Sequence, residues 1–504
     1  MLTAKRNVIN ALTARSHTLL RTPWLALILL AHGIYWLTAF PNPDEAYYWL
    51  WGQHLDWSYY DHPPFHAWVQ GAFAWLGHSH FVLRLPTVVS NSLFFTAYWH
   101  IARHLYDKRA ERAWDITVIC CWSSPLYFLF LTLAWQDQWL IAFALWSAYG
   151  FIRFLDGEWV HGQGQSRFLY GAAVALGLAG LCKYTAVFIG LATLGVIVYK
   201  PQLRHLLRDV RLYGAAAIAA LFTLPIVIWN LQNDWLSFQY YVTRSVDGGG
   251  AFLRPEAVLF FWLTAALILS PPLVWAMVRV ATALPQTQSP TYGPMALGLF
   301  LISTGGLSLV GLFSTALYYW NILAYLLLIP LVPRWFLGAG LAATPRRTWF
   351  RGTQILGTVV AWLLVVNYCL VPITAFFGPE GDPDGRMSFG WYQVAAVVKD
   401  YASDHSLLLT TDYRSASALA YALNDKTVLA VSDRIDQFDV WAQSRSLVGE
   451  KALVLADDWH PFIDQDSLRL EPGWQQIATI PVQRFGIKIK DYYLYSGVVE
   501  RASA

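Results

Sequence analysis

The sequence predicts a polytopic α-helical membrane protein of about 11–13 spans, followed by a small C-terminal α/β domain. Three observations support this fold class. Hydrophobic residues make up 56% of the 504 residues and charged residues only 13%, whereas soluble domains average about 25% charged residues. Apolar runs of membrane-spanning length recur as far as residue 374. From residue 378 onward the chain becomes turn-rich and more acidic.

The apolar runs define a predicted transmembrane domain at residues 1–377. A helix needs about 17–25 apolar residues to cross a hydrocarbon layer ~30 Å thick. Eleven runs approach this length, near residues 24–40, 81–102, 113–131, 138–155, 168–182, 184–199, 212–230, 256–278, 294–313, 316–333 and 353–374. Lys183 separates the fifth run from the sixth, and Ser314 the ninth from the tenth, so either pair could instead form one re-entrant unit.

The distribution of positive charge predicts the orientation. Segments expected on the cytoplasmic side hold 18 Lys and Arg residues, against three in the segments expected outside before residue 375, and such an excess marks cytoplasmic loops. A basic leader (Lys5, Arg6, Arg15 and Arg21) precedes the first run without a clear cleavage site, so the first span is expected to be retained. We therefore expect a multi-pass inner-membrane protein with a cytoplasmic N-terminus and its C-terminal domain outside.

Residues 378–504 have the pattern of a separate α/β domain. Strand-like runs at 407–410, 427–431, 452–455, 476–482 and 487–495 alternate with helical patterns near 415–423 and 438–447. The nucleotide-binding fingerprints GxGxxG and GxxxxGK[ST] do not occur in this segment. The chain also has no basic stripe on a soluble module, so nucleic acid is not an expected partner.

Residues 41–66, PNPDEAYYWLWGQHLDWSYYDHPPFH, combine acids, histidines and aromatic residues without any Lys or Arg. We expect amphipathic helices here, in the first outer loop. Asp44 and Glu45 could be a solvated pair or the N-terminal acids of a helix, which the helix dipole favours. The histidines could bind a divalent metal ion, although their spacing matches no standard ligand motif. The aromatic residues are typical of an interfacial belt.

Further polar residues fall on the same predicted face, namely Asp137, Lys183, Tyr184, Arg244, Arg254 and Tyr319. Ionisable groups at membrane depth are costly, so they usually face a cavity, a partner or a substrate. Taken singly, Asp137 could be structural, and Lys183 could extend its charge to the interface. Their sharing one face with residues 41–66 favours a functional site.

Acids, aromatic residues and a few cations beside a bilayer suit sugar transfer from a lipid-linked sugar phosphate. A carboxylate can take the proton of the acceptor hydroxyl, and Arg or Lys can hold the departing lipid phosphate. Because such a donor is already activated, no cofactor is required, with a divalent metal ion as an open alternative.

Three short motifs resemble the C-type-fold membrane glycosyltransferases that use lipid-linked phosphosugars. They are Pro43-Asp44-Glu45-Ala-Tyr-Tyr, then Tyr60-Asp61-His62-Pro63-Pro64, then Gln136-Asp137-Gln138. That superfamily includes protein O-mannosyltransferases and the aminoarabinose transferase of lipid A. The segments around Lys183-Tyr184 and Trp229-Asn230 are also similar to bacterial members. The second motif departs from the pattern, since His62 stands where the aminoarabinose enzyme has Lys.

The resemblance implies roles for individual residues. Asp44 would be the base that activates the acceptor, with Glu45 and Asp137 completing the catalytic set. The implied substrate-binding residues are Asp61, His62, Lys183, Tyr184, Arg244, Arg254 and Tyr319, with Lys183, Arg244 and Arg254 facing the lipid phosphate.

The prediction is therefore a glycosyltransferase that moves a sugar from a polyprenyl phosphate to a glycolipid, polysaccharide or protein, with inversion at the anomeric carbon. The main alternative is a secondary transporter or lipid flippase, whose sites usually lie on broken helices near the bilayer midplane. A polymerase or ligase using lipid diphosphate donors would need more cations in the outer loops than this chain has.

Overall fold

The structure is a computed structural model of the chain, and it describes residues 23–246, 253–282, 289–337, 344–378, 381–432, 434–442, 447–462 and 474–499. The basic leader at residues 1–22 and Asp247 lie outside the described residues. In the part of the chain so described, helices but no strands occur before Leu407, where the first strand begins.

The described part of the first 377 residues contains 19 α-helices joined by short turns, several of them 3-10 helical. These helices are α1 (Pro23–Thr38), α2 (Pro43–Gln53), α3 (Phe65–Phe73), α4 (His80–Arg84), α5 (Pro86–Tyr106), α6 (Ala110–Trp122), α7 (Pro125–Thr132), α8 (Gln136–His161), α9 (Ser166–Gly180), α10 (Val187–Tyr199), α11 (Val210–Leu221), α12 (Leu224–Gln232), α13 (Leu236–Val246), α14 (Pro255–Leu269), α15 (Pro271–Thr282), α16 (Tyr292–Phe313), α17 (Ile322–Leu326), α18 (Val332–Leu337) and α19 (Thr344–Val365).

Many of the predicted spans are bent or broken. Within the described residues, three helices are long and apolar enough to cross a membrane, or up to nine spans if each bent pair is counted as one. The predicted number of 11–13 spans stays a prediction, but several apolar runs that look continuous in sequence bend where a proline begins the next helix. The bend is 87° before Pro125 and 102° before Pro271. Proline is favourable in the first turn of a helix but interrupts a helix that is already running.

The C-terminal residues form a five-stranded mixed sheet, as predicted. Its strands are β1 (Leu407–Thr410), β2 (Leu429–Ala430), β3 (Lys451–Asp457), β4 (Gln475–Arg484) and β5 (Ile487–Val498), in the order β2-β1-β3-β5-β4. Strand β1 is parallel to β2 and β3, while β5 is antiparallel to β3 and β4. Its helices are α20 (Pro383–Arg386), α21 (Trp391–Ala402), α22 (Tyr413–Leu423) and α23 (Gln437–Ala442).

Helix α2 packs in the same hydrophobic core as the C-terminal sheet. Its Trp49 ring lies 5.2 Å from the ring of Tyr421 on α22, and its Tyr47 ring stacks 6.0 Å from Phe438 on α23. The expectation that α2 is amphipathic is therefore wrong. Nine of its 11 residues are buried, because the C-terminal domain covers the face that the sequence left unpartnered.

Candidate active site

A cavity of about 410 Å³ lies where the helical bundle meets the C-terminal domain. Asp44, Asp61 and Asp137 all line it, although the chain separates them widely. Of the other predicted site residues, His62, Lys183, Tyr184, Arg244 and Tyr319 also line it. The convergence expected from the sequence is therefore present, with Glu45 and Arg254 as the two exceptions.

Asp44 enters the cavity from the first turn of α2. Asn42 caps this helix: its side chain accepts a hydrogen bond from the Glu45 backbone, while the Glu45 side chain accepts one from the Asn42 backbone. Pro43 then fits the first helical position, where no backbone donor is needed. This reciprocal capping box fixes the direction in which Asp44 points.

Glu45 points away from the cavity and forms a buried ion pair. Arg84 Nε and Nη2 donate to its two carboxylate oxygens at 2.8 and 2.7 Å, and both side chains are fully buried. The same carboxylate accepts the backbone N–H of Ala134 at 2.8 Å. The structure thus places Glu45 in a link between α2 and the segment before α8, and not among groups that could touch a substrate in this cavity.

Asp137 and Lys183 form a second ion pair, in the cavity wall. Asp137 lies in the first turn of α8, and Lys183 lies in the extended break between α9 and α10. The Lys183 Nζ donates to both carboxylate oxygens, at 2.8 and 3.1 Å. It also lies 5.4 Å from the ring centre of Tyr319. The carboxylate of Asp137 balances the positive charge of Lys183, so this charge is only partly available to an anion.

Asp61 and His62 lie in the loop between α2 and α3. The Tyr241 hydroxyl donates to the Asp61 carbonyl at 2.6 Å and lies 3.3 Å from His62 Nδ1. The Oδ1 atom of Asp61 is buried and has no hydrogen-bond partner within the described residues. Burial lowers the pKa of His62 well below its ordinary value, and the nearby Lys183, Arg244 and Arg434 lower it further. His62 is therefore neutral at pH 7 and cannot replace a lysine as a permanent cation.

Burial raises the pKa of Asp61 to about 7, opposed chiefly by Arg434. The unfolded value is about 3.9, so the folded protein binds more protons than the unfolded chain between these values, and stability falls as pH rises through this window. We expect Asp61→Asn to remove this loss, so that its melting temperature exceeds that of the wild type by an amount that grows from pH 5 to pH 8. Differential scanning calorimetry in detergent measures the melting temperatures, and Asp400→Asn on the exposed face of α21 is the control. Parallel curves for wild type and Asp61→Asn would contradict the prediction.

Arg254 lies outside the cavity. Its side chain is half-exposed, 3.8 Å from Glu256, in a separate apolar groove beside Phe260 and Phe261. Arg254 directly precedes α14, and the start of this helix places its side chain at the groove. Arg244 lies on a different helix, α13. The expectation that Arg254 faces the same substrate as Arg244 is not met by this geometry.

Two cavity residues that the sequence reasoning missed belong to the C-terminal domain. Tyr413 begins α22, and Arg434 lies in the loop before α23. No local pattern marks either residue, since each reaches the site only through tertiary packing. Tyr240 and Tyr241 were also missed, although they precede the predicted Arg244 on one helix and could have been found from it.

His54, in the segment at residues 41–66, and His78, shortly after it, contact backbone carbonyl groups. Among the described residues, no three or more His, Cys, Asp or Glu side chains are grouped as a metal site. His54 Nε2 lies 2.9 Å from the carbonyl oxygen of Lys426, and His78 Nε2 lies 2.9 Å from that of Tyr421. These contacts attach His54 and His78 to the C-terminal domain, and the expectation that no cofactor is required, with a divalent metal ion as the alternative, stays a prediction.

The fold agrees with the one that the resemblance implied. Residues 61–229 match the family described as dolichyl-phosphate-mannose-protein mannosyltransferase. The fold is shared with ArnT from Cupriavidus metallidurans, solved in the apo state and bound to undecaprenyl phosphate. Each comparison has a TM-score of 0.61 and 15% identity, and covers 94% of this chain and 97% of that one.

A sequence relative is the lipid A galacturonosyltransferase RgtD from Rhizobium johnstonii. It is 30% identical over 197 residues, which is 38% of this chain and 38% of the relative. The similarity therefore spans well under half of each protein. This partial similarity supports the same class of protein as the family match, a glycosyltransferase.

Proposed function

We propose that this protein is an inner-membrane glycosyltransferase that moves a sugar from a polyprenyl-phosphate donor to an acceptor on the outer face. The observation that carries the proposal is the single cavity that joins Asp44, Asp61 and the Asp137–Lys183 pair. Its lining combines acids, cations and aromatic rings, which is the chemistry that such a transfer needs. The cavity volume suits a sugar phosphate, since small-molecule sites usually measure about 300–1,000 Å³.

The reaction needs one base and one anion site. The acceptor hydroxyl oxygen attacks the anomeric carbon, and its proton passes to the Asp44 carboxylate. A new glycosidic C–O bond forms as the bond between the anomeric carbon and the phosphate oxygen breaks. The bonding electron pair stays on that oxygen, so the products are the glycosylated acceptor and the polyprenyl phosphate. A single displacement without a covalent intermediate inverts the anomeric centre.

A glycolipid is the acceptor that we favour among glycolipid, polysaccharide and protein. The relative RgtD is described as acting on lipid A, and an acceptor held in the bilayer could approach the cavity from the side of the helical bundle. The outward orientation of the cavity rests on the charge distribution, which places the basic loops inside.

A transfer assay in proteoliposomes tests the proposal. Purified protein is incubated with polyprenyl phosphate carrying a labelled sugar, with and without lipid A, and label is followed into each product. We expect label to move to the lipid acceptor, with opposite anomeric configuration by NMR. Uptake of a labelled solute or movement of the donor across the bilayer, without any sugar transfer, would instead identify a transporter or flippase.

A further inference from the structure

The C-terminal domain contributes a cation to the cavity. The Arg434 guanidinium carbon lies 5.7 Å from the ring centre of Tyr240 and 5.1 Å from that of Tyr413. Its Nη2 lies 3.4 Å from the Tyr240 hydroxyl oxygen. Contact with these two rings holds the planar guanidinium in place without using all of its N–H donors.

Arg244 approaches the same hydroxyl group from the helical bundle. Its Nη1 donates to the Tyr240 oxygen, and its guanidinium carbon lies 5.0 Å from the ring centre of Trp320. Two guanidinium groups, one from each part of the protein, therefore meet at one phenol oxygen. Across the described ranges, neither group has a carboxylate within ion-pair distance.

This arrangement differs from the other cations near the site. Lys183 is paired with Asp137, and Arg84 with Glu45, at 2.8 and 2.7 Å. Two neighbouring like charges repel each other, and an anion placed between Arg244 and Arg434 would relieve that repulsion. His62 is neutral and Lys183 is paired. Arg244 and Arg434 are therefore the cations of the cavity lining whose charge can act on a bound group.

The loop that carries Arg434 is fixed to the first polar segment. Gln437, three residues later, accepts the backbone N–H of Tyr60 through its side-chain oxygen at 2.7 Å. Tyr60 precedes Asp61, and its ring lies 5.0 Å from that of Tyr240. Arg434 is thus held in a defined place beside the acids of the cavity.

We propose that Arg434 joins Arg244, which the resemblance already assigned to the lipid phosphate, in one anion site for that phosphate, so that the C-terminal domain completes the active site. The inference rests on the proposed function. Guanidinium groups match phosphate oxygens with paired, charge-assisted hydrogen bonds. As the anomeric bond breaks, negative charge grows on the phosphate, and two fixed cations stabilise that charge in the transition state.

Binding of undecaprenyl phosphate to the full-length protein in nanodiscs tests the site, with uncharged undecaprenol as the matched ligand. We expect Arg434→Gln to weaken undecaprenyl phosphate binding about 10–100-fold, the value of a lost charged hydrogen bond, with undecaprenol binding unchanged. Arg434→Lys keeps the positive charge but loses the paired N–H donors of the guanidinium. We expect its affinity for undecaprenyl phosphate to lie between those of the wild type and Arg434→Gln. Arg484→Gln, exposed at the end of β4, is the control, and unfolding curves verify that each variant folds.

An unchanged affinity for undecaprenyl phosphate in Arg434→Gln would overturn the proposal. A second arm compares donors that carry a neutral sugar and a uronic acid. If the variant slows transfer of the uronic acid alone, Arg434 binds a sugar carboxylate and the phosphate assignment is wrong. A wild-type protein that binds undecaprenyl phosphate through Arg434 but transfers no sugar would contradict the proposed function and leave the anion site supported.

Discussion

Replacing Asp44 with Asn is expected to lower sugar transfer by about 10²–10⁴-fold, the usual contribution of a positioned general base. The amide has nearly the same shape as the carboxylate but cannot accept the hydroxyl proton. Because Asp44 lies in the first turn of α2, the loss of its favourable contact with the helix dipole costs only about 0.3–1 kcal/mol. Initial rates with a labelled lipid-linked donor measure the effect.

A control variant separates the loss of the base from damage to the fold. Asp400→Asn removes an exposed carboxylate from α21 and should transfer sugar at the wild-type rate. Asp44→Asn should still bind undecaprenyl phosphate, since the base does not contact the phosphate in the proposed reaction. Turnover of Asp44→Asn within about tenfold of the wild type would remove Asp44 from the role of base.

Replacing Arg84 with Met is expected to destabilise the folded protein by about 3–5 kcal/mol, because it leaves a buried carboxylate without its partner. Arg84 Nη1 also donates to the carbonyls of Tyr35, Trp36 and Ala39 at 3.2, 2.8 and 3.0 Å. The one side chain therefore closes the end of α1 and holds Glu45 at the start of α2. Unfolding by denaturant in detergent measures the loss.

Glu45→Gln provides the comparison within the same pair. The N–H groups of Asn42 and Ala134 bind different oxygens of Glu45, so the amide oxygen of glutamine can still accept one of them, and Arg84 keeps its three carbonyl partners. We expect a smaller loss than for Arg84→Met, and an exposed arginine on α5, changed as Arg103→Met, should show almost none. Equal losses in Arg84→Met and Glu45→Gln would show that the ion pair itself, and not the orphaned carboxylate and carbonyls, carries the effect.

Most of the acids of the site were predicted from the resemblance of three short motifs and from the predicted face that these acids share. Asp44 follows a capping residue and a proline, and Asp137 begins a long helix, so both could be placed at helix starts. Glu45 points away from the cavity that Asp44 lines because successive helical residues point about 100° apart. An acid pair that is continuous in sequence is therefore divided in space, with Asp44 on the cavity and Glu45 in the ion pair.

The parts that could not be predicted depend on contacts between distant segments. Arg434 and Tyr413 reach the cavity only because the C-terminal sheet packs on α2. The bends within the predicted spans could not be predicted either. Hydropathy detects apolar runs, but it does not show that Pro125 or Pro271 begins a new helix at a steep angle.

The core that α2 shares with the C-terminal domain has a consequence for how the protein is made. His54, just after α2, hydrogen-bonds to Lys426, 372 positions later in the chain. Contacts so far apart in sequence form late in folding. A nascent chain must therefore carry the buried tyrosines and tryptophans of α2 uncovered through most of its synthesis. The cavity is complete only when the last quarter of the polypeptide has been released, and a premature stop codon within it would leave an unfinished and aggregation-prone product.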